Sequence, residues 1–246
     1  MPQLRSWEEG FDLLASNLEA GPRAPVVVFL DELPWLATRR SRLLPTLDHC
    51  WNTRLSRLDR LCFVVCGSAA SFMLDKLIHA KGGLHNRVTQ RLRVDPLELH
   101  EVEELLQMRG VKLGRGQILE LYLALGGVPH YLMRASKGRS AAQVIAELCF
   151  DKAGLLRDEY DRLFRSLFRD AEAHDAIVRA LRKKWRGMTR GEIATATGLS
   201  SGGRLAARLS ELEEAGFVAK SHPHGRRTKD TRYRLIDELV TFHLTW

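Results

Sequence analysis

Val26-Val27-Val28-Phe29-Leu30-Asp31-Glu32 is the stretch on which the reading of the fold turns. Five consecutive apolar residues, three of them valine, suit a short strand buried on both faces, as in a parallel sheet. The run stops at two carboxylates. A strand here delivers Asp31 and Glu32 to its C-terminal edge, the side on which open α/β sheets hold ligands. Pro34 follows at once, so the same letters also spell a buried strand leading into the acidic N-cap of a helix. On this motif alone the two readings weigh equally.

Working outward, Ser6 and Glu9 form an S-x-x-E capping box. Trp7, Phe11, Leu14 and Leu18 follow at helical spacing, which predicts an amphipathic helix over 6–20, ended by Gly21-Pro22. Beyond the central run, 41–55 reads as a helix. Leu61 to Cys66 is a second apolar run with strand character, closed by Gly67, and Ser68 then opens a helix reaching Ala80. Lys81-Gly82-Gly83 is a loop. Val88, Gln90, Leu92 and Val94 alternate, which predicts a third strand over 88–94.

From Pro96 the pattern changes to short helices at 98–109, 115–125, 128–136 and 140–149, with an amphipathic connecting helix at 155–168. Near Asp170 another unit begins. Ala176, Ile177, Ala180, Leu181 and Trp185 mark one helix, and Thr189 with Glu192 caps a second over 190–197. A third runs from Gly203 to Ala215. Strands at 217–220 and 231–235 flank a polar, basic tip from Ser221 to Asp230. Three helices followed by a hairpin make the winged form of the helix-turn-helix. The expected architecture is α/β: a partial parallel-sheet core over 1–96, a helical subdomain over 97–168, and a winged-helix domain over 169–246, in which 235–246 starts a further segment.

The 246 residues, 45% of them hydrophobic, suffice for two or three compact units. The net charge of +8 is compatible with nucleic acid, an anionic membrane surface or an acidic partner. Four cysteines, none in a CxxC pair, fit a reducing cytoplasm rather than a disulfide scaffold, and Cys62 and Cys66 read as buried thiols. No apolar stretch approaches the ~20 residues of a membrane span. The N-terminus lacks the apolar core of a signal peptide, so the expectation is a cytoplasmic protein with no membrane partner.

The blocks VVVFLDELPWL, FVVCGSAASFM, GLHNRVTQRLRVDPL, ALGGVPHYL and TRYRLID, in this order, resemble the archaeal-type ATPases of the AAA+/STAND-like P-loop class. The resemblance implies an AAA+ sheet core with a helical lid, and ATP and Mg2+ as cofactors. Asp31 would hold Mg2+, since a hard cation takes oxygen ligands. Glu32 would polarise the attacking water. Ser68 falls at the sensor 1 position and also fits as a helix N-cap. Arg87 falls where the family has an arginine finger, although Asn86 replaces the usual Gly, and it reads equally as a solvated arginine beside Arg91 and Arg93. Gly126, Gly127 and Pro129 match the lid motif at the nucleotide; an ordinary joint between two helices is the other reading.

One departure matters. A P-loop needs G-x-x-x-x-G-K-[ST], whose backbone N–H groups and Lys cradle phosphates, and the sequence contains no Gly-Lys pair. The expectation is an ATPase-family chain that is N-terminally truncated and incomplete as it stands. Its exposed strand edge would favour self-association or completion by a missing N-terminal segment. The alternative is a winged-helix regulator that binds DNA or protein. Arg204 and Arg208 share one face of the third helix, and Arg226, Arg227 and Lys229 lie in the wing tip, placed to contact phosphates. Glu211, Glu213 and Glu214 on the same helix speak for a protein partner instead.

Overall fold

The computed structural model describes residues 4–38, 40–67, 84, 87–223 and 230–246. The helix expected over 68–80 and the loop after it lie outside the described residues. The chain divides into two compact units, Met1–Leu92 and Arg93–Trp246.

In the first unit, helix α1 (Trp7–Ala20) begins as its capping box requires, with the Ser6 side chain accepting from the Glu9 N–H at 3.2 Å. Strand β1 (Val26–Leu30) is followed by the short helix α2 (Leu33–Leu36), then α3 (Leu43–Thr53) and strand β2 (Leu61–Val65). The strands pair in parallel, from Val26 opposite Leu61 to Leu30 opposite Val65. Phe11 and Ala15 of α1 meet Leu43, Leu47 and Cys50 of α3, with Leu33 and Leu55, in a core beneath one face of the pair. Arg54 closes the end of α3 onto α1, donating to Glu19 and Ser16.

Two expectations are corrected here. The strand read as buried on both faces is half-buried on one and open on the other: Val27 is 66% and Phe29 56% exposed, because no described element covers the second face. Accordingly Cys62 is exposed and Cys66 half-buried, and the buried thiol is Cys50. The strand expected over 88–94 is not formed. That stretch is irregular and exposed, with Leu92 at 84% and Val94 at 86%. Alternation makes a strand only where a neighbour accepts and donates the ladder bonds, and among the described residues none does.

The second unit holds two adjoining cores. Helices α4 (Leu99–Met108), α5 (Arg115–Leu125), α6 (Pro129–Leu132) and α7 (Ala141–Ile145), the last continued by a π-helical turn to Phe150, enclose Val102, Leu106, Leu121, Leu125, Leu132 and Val144. Helix α8 (Glu159–Leu167) leads, by Tyr160 and Phe164, into the other core. There α9 (Ala171–Arg182), α10 (Arg190–Thr197) and α11 (Gly203–Glu214) pack Ile177, Leu181, Ile193, Leu205, Leu209 and Leu212 against a three-stranded antiparallel sheet. Its strands are β3 (Met188–Thr189), β4 (Val218–Ser221) and β5 (Arg232–Leu235), with β5 in the middle.

Trp185, expected on the inner face of a helix, is 73% exposed. Helix α9 stops at Arg182, and the chain turns through Gly187 at φ 77 before β3, so the spacing from Leu181 no longer holds at Trp185. The residues read as the start of a further segment form helix α12 (Glu238–His243), whose Leu239 enters one core and whose Val240 enters the other. No helix among the described residues is long and apolar enough to cross a membrane.

Candidate functional site

The in-register pairing sets the site. Because β1 and β2 run parallel and end level, Asp31-Glu32 emerges beside Cys66-Gly67 at one sheet edge. The Cys66 N–H donates to the Leu30 carbonyl at 3.0 Å, and the Leu33 N–H donates to the Cys66 carbonyl at 2.9 Å, so the two strand ends are stitched together beyond the ladder. Asp31 is exposed and accepts twice at one oxygen: Oδ1 takes the Glu32 N–H at 3.0 Å and the Cys66 thiol at 2.7 Å. Among the described residues Oδ2 accepts no hydrogen bond. Donation to Asp31, then burial, pushes the Cys66 thiol above its ordinary pKa, so it stays protonated and a donor.

Glu32 stands at φ 47, ψ 49, a left-handed conformation that is uncommon outside glycine. It is the N-cap residue of α2 by position, yet its side chain makes no cap bond there, and Pro34 sits in the first turn. Strained non-glycine backbone concentrates at functional sites. One carboxylate oxygen left open on Asp31, next to a second carboxylate at an exposed edge, suits Mg2+, which keeps several waters and takes one or two carboxylates from the protein. Among the described residues no group of three or more His, Cys, Asp or Glu forms a closed metal cage.

The other candidates divide. Ser68, Arg226, Arg227 and Lys229 lie outside the described residues. Arg87 is exposed in a turn, its N–H donating to the Leu84 carbonyl at 3.1 Å. Gly126 ends α5 at φ 67, and Pro129 opens α6. At Gly127 the close backbone approach is internal. A Cβ there would lie 1.9 Å from the Leu97 carbonyl oxygen, and the Leu97 N–H donates to the Gly127 carbonyl at 2.8 Å. Arg204 is exposed on α11. Arg208, expected to face phosphates, pairs its guanidinium with Asp170, and its side chain is 19% exposed. The Asp170 carboxyl, beside Arg208, falls below the usual carboxylate range.

Sequence reading missed His174. It is buried, stacked on Phe168 at 4.1 Å, with Nε2 2.8 Å from a Glu211 oxygen and Nδ1 2.7 Å from the Asp170 carbonyl. Its position within the α9 apolar periodicity was the available signal. It also missed Asp237, whose Oδ1 accepts the Val240 N–H at 2.7 Å and whose burial pushes its carboxyl up to about 6.

No protein-family model matches the chain. It is 22% identical to uncharacterized protein MJECL04 of Methanocaldococcus jannaschii over 242 residues, 98% of this chain and 51% of that protein. The chain thus spans about half the length of this curated relative. Among solved structures, the Walker-type ATPase PABY2304 of Pyrococcus abyssi superposes with a TM-score of 0.64 at 19% identity, over 98% of this chain and 69% of the other. The Orc1 protein of Aeropyrum pernix, solved in complex with DNA, aligns at a TM-score of 0.41 and 17% identity, over the same shares; this is too distant to bear on the fold. The likeness to PABY2304 gives the conclusion that the chain has a Walker-type ATPase-like fold.

Proposed function

We propose that the chain is the Walker B, lid and winged-helix portion of an AAA+ type ATPase, whose nucleotide site needs a phosphate-binding loop not present in these 246 residues. The observation that supports this best is the level ending of β1 and β2, which sets Asp31-Glu32 beside Cys66-Gly67 at one sheet edge. In this reading Asp31 would hold Mg2+ with its waters, and the cation would supply positive charge opposite the phosphates. Glu32 orients the water that attacks the γ-phosphate of ATP. Ser68 serves as sensor 1, Arg87 as arginine finger, and Gly126, Gly127 and Pro129 as the lid motif. The strand edge and the face of β1 that no described element covers would meet a segment carrying the phosphate-binding loop or another copy of the chain.

Two measurements test it. Titration of Mg-ATP into the 246-residue chain detects nothing tighter than about 1 mM, equivalent to about −4 kcal/mol; micromolar binding overturns the claim of incompleteness. Mn2+, used as a paramagnetic substitute for Mg2+, broadens amide resonances around Asp31 and Cys66, and Asp31→Asn abolishes this. Broadening confined to other regions removes the Walker B assignment.

A winged-helix regulator that binds DNA is the second reading. The order of α9, α10 and α11 around the β3-β5-β4 sheet favours it, as does exposed Arg204. In that version Arg226, Arg227 and Lys229 of the wing reach the backbone. A gel shift at low salt that shows no complex with duplex DNA refutes it.

A further inference from the structure

We infer that the turn between α9 and β3, together with the groove beside it, binds a single strand of nucleic acid, with Trp185 stacking on a base. Residues 179–190 contain Arg179, Arg182, Lys183, Lys184, Arg186 and Arg190 and no acidic residue. Arg179 pairs with Asp175, and Lys184 with Glu192 at 2.8 Å. Lys183, Arg186 and Arg190 are exposed and have no acidic partner among the described residues. Trp185, 73% exposed, stands among them, and the Arg186 guanidinium lies 4.9 Å from its ring centroid.

A tryptophan held this far into water loses the apolar burial that normally places it, and this one had helical spacing to the core and left it. An indole with a guanidinium on it is a platform for an unstacked base, while neighbouring ammonium groups meet phosphates. Next to the turn, α9 and α10 leave an open groove of about 530 Å³. Ala176, Ala180 and Met188 form its apolar wall, and Arg179, Lys183 and Lys184 add positive charge. That combination fits a sugar-phosphate chain better than an acidic peptide, which has no flat ring for the indole. It also fits a strand better than an anionic membrane, because a single exposed aromatic side chain inserts little area.

The surface differs from the α11 face invoked by the winged-helix reading. There Arg208 is held by Asp170, and the exposed positions near Arg204 are Ser200, Ser201, Gly202, Gly203 and Ala207, none of them charged. The inference therefore stands or falls independently of both readings given above.

The test is fluorescence anisotropy of a labelled oligothymidylate, and of a duplex of equal length, titrated with the 246-residue chain at two salt concentrations. The single strand is expected to bind more tightly than the duplex, and more weakly as salt rises. Trp185→Ala weakens it about five-fold or more, and Trp185→Phe restores most of the loss. Lys183→Glu with Arg186→Glu weakens binding at least about ten-fold and flattens its salt dependence. Arg109→Glu, at the exposed end of α4, leaves the affinity within about two-fold. Thermal melting verifies that each surface variant is folded. Absence of binding at low salt overturns the inference. So does equal binding of duplex that Trp185→Ala leaves unchanged, or loss of binding in Arg109→Glu alone. Trp185-dependent sedimentation with phosphatidylglycerol vesicles, without oligothymidylate binding, assigns the patch to membranes and overturns it as well.

Discussion

Single contacts decide much at the residue scale. The Cys66 thiol and the Glu32 N–H both bond Oδ1 of Asp31, which fixes one carboxylate oxygen and leaves the other outward. Replacing Cys66 with Ala removes one of the two anchors. The expected result is weaker Mn2+ broadening around Asp31 with a stability loss of only about 0.5–1.5 kcal/mol, the net worth of one hydrogen bond; Cys66→Ser retains the donor and the broadening. Because Asp31 holds the Cys66 thiol protonated and Cys62 is exposed, brief iodoacetamide treatment at neutral pH labels Cys62 before Cys66, as peptide mass mapping would show. Gly127 is an equally local case. A Cβ would strike the Leu97 backbone, which has no flexible end to yield. Gly127→Ala therefore costs about 2–3 kcal/mol in urea denaturation, as overpacking does. Gly116, in the first turn of α5 with open space around it, makes the contrast: Gly116→Ala is neutral or stabilising by up to about 1 kcal/mol. A loss as large as that at Gly127 contradicts the steric account.

Helix α12 shows what one element does. Its first turn is capped by Asp237, and its two inward side chains serve different cores. Burial raises the Asp237 carboxyl from 3.8 to about 6. A carboxyl whose folded pKa lies above its unfolded value binds its proton more tightly when folded. Its contribution is therefore full below pH ~4 and is lost as pH rises to about 6. Asp237→Asn, which keeps an acceptor for the Val240 N–H without the buried charge, is expected to raise the midpoint of thermal unfolding at neutral pH. It also flattens the slope between those pH values. Glu192 has the opposite sign. Lys184 and the Thr189 N–H hold its carboxyl down to about 2, so its contribution is present above 4.5 and fades as pH falls through about 2. An Asp237→Asn protein with an unchanged profile between pH 4 and 6 rules the burial argument out.

On the scale of the whole molecule, the sheet face that no described element covers has consequences. Val27 and Phe29 stand next to each other on one face of β1, more than half exposed, and neither strand has a second neighbour among the described residues. Exposed apolar strands with open edges associate. Light scattering on the purified 246-residue chain is expected to show self-association, and Val27→Thr with Phe29→Ser reduces it while leaving thermal stability within about 0.5 kcal/mol, since neither side chain is in a core. A monodisperse monomer refutes this.

The sequence alone determined the elements whose cause is local. Thr189 and Glu192 announced the start of α10, Ser6 and Glu9 that of α1, and both capping interactions are formed. Apolar spacing at 3.6 residues placed α1 and most of α11, and the abrupt end of VVVFL in Asp-Glu placed the acidic edge. These signals lie within a turn or two of chain, where propensity and backbone hydrogen bonding act. Tertiary structure decided the rest. Val27 and Phe29 show that an apolar strand does not say how many of its faces will be covered. Residues 88–94 show that alternation without a partner yields no ladder. Arg208 acquires an ion-pair partner in Asp170, far off in sequence, and Trp185 reads as core until α9 stops three residues before it. Each of these depends on whether a distant group arrives to bury, pair or bond a side chain, and that arrival is a property of packing rather than of local sequence.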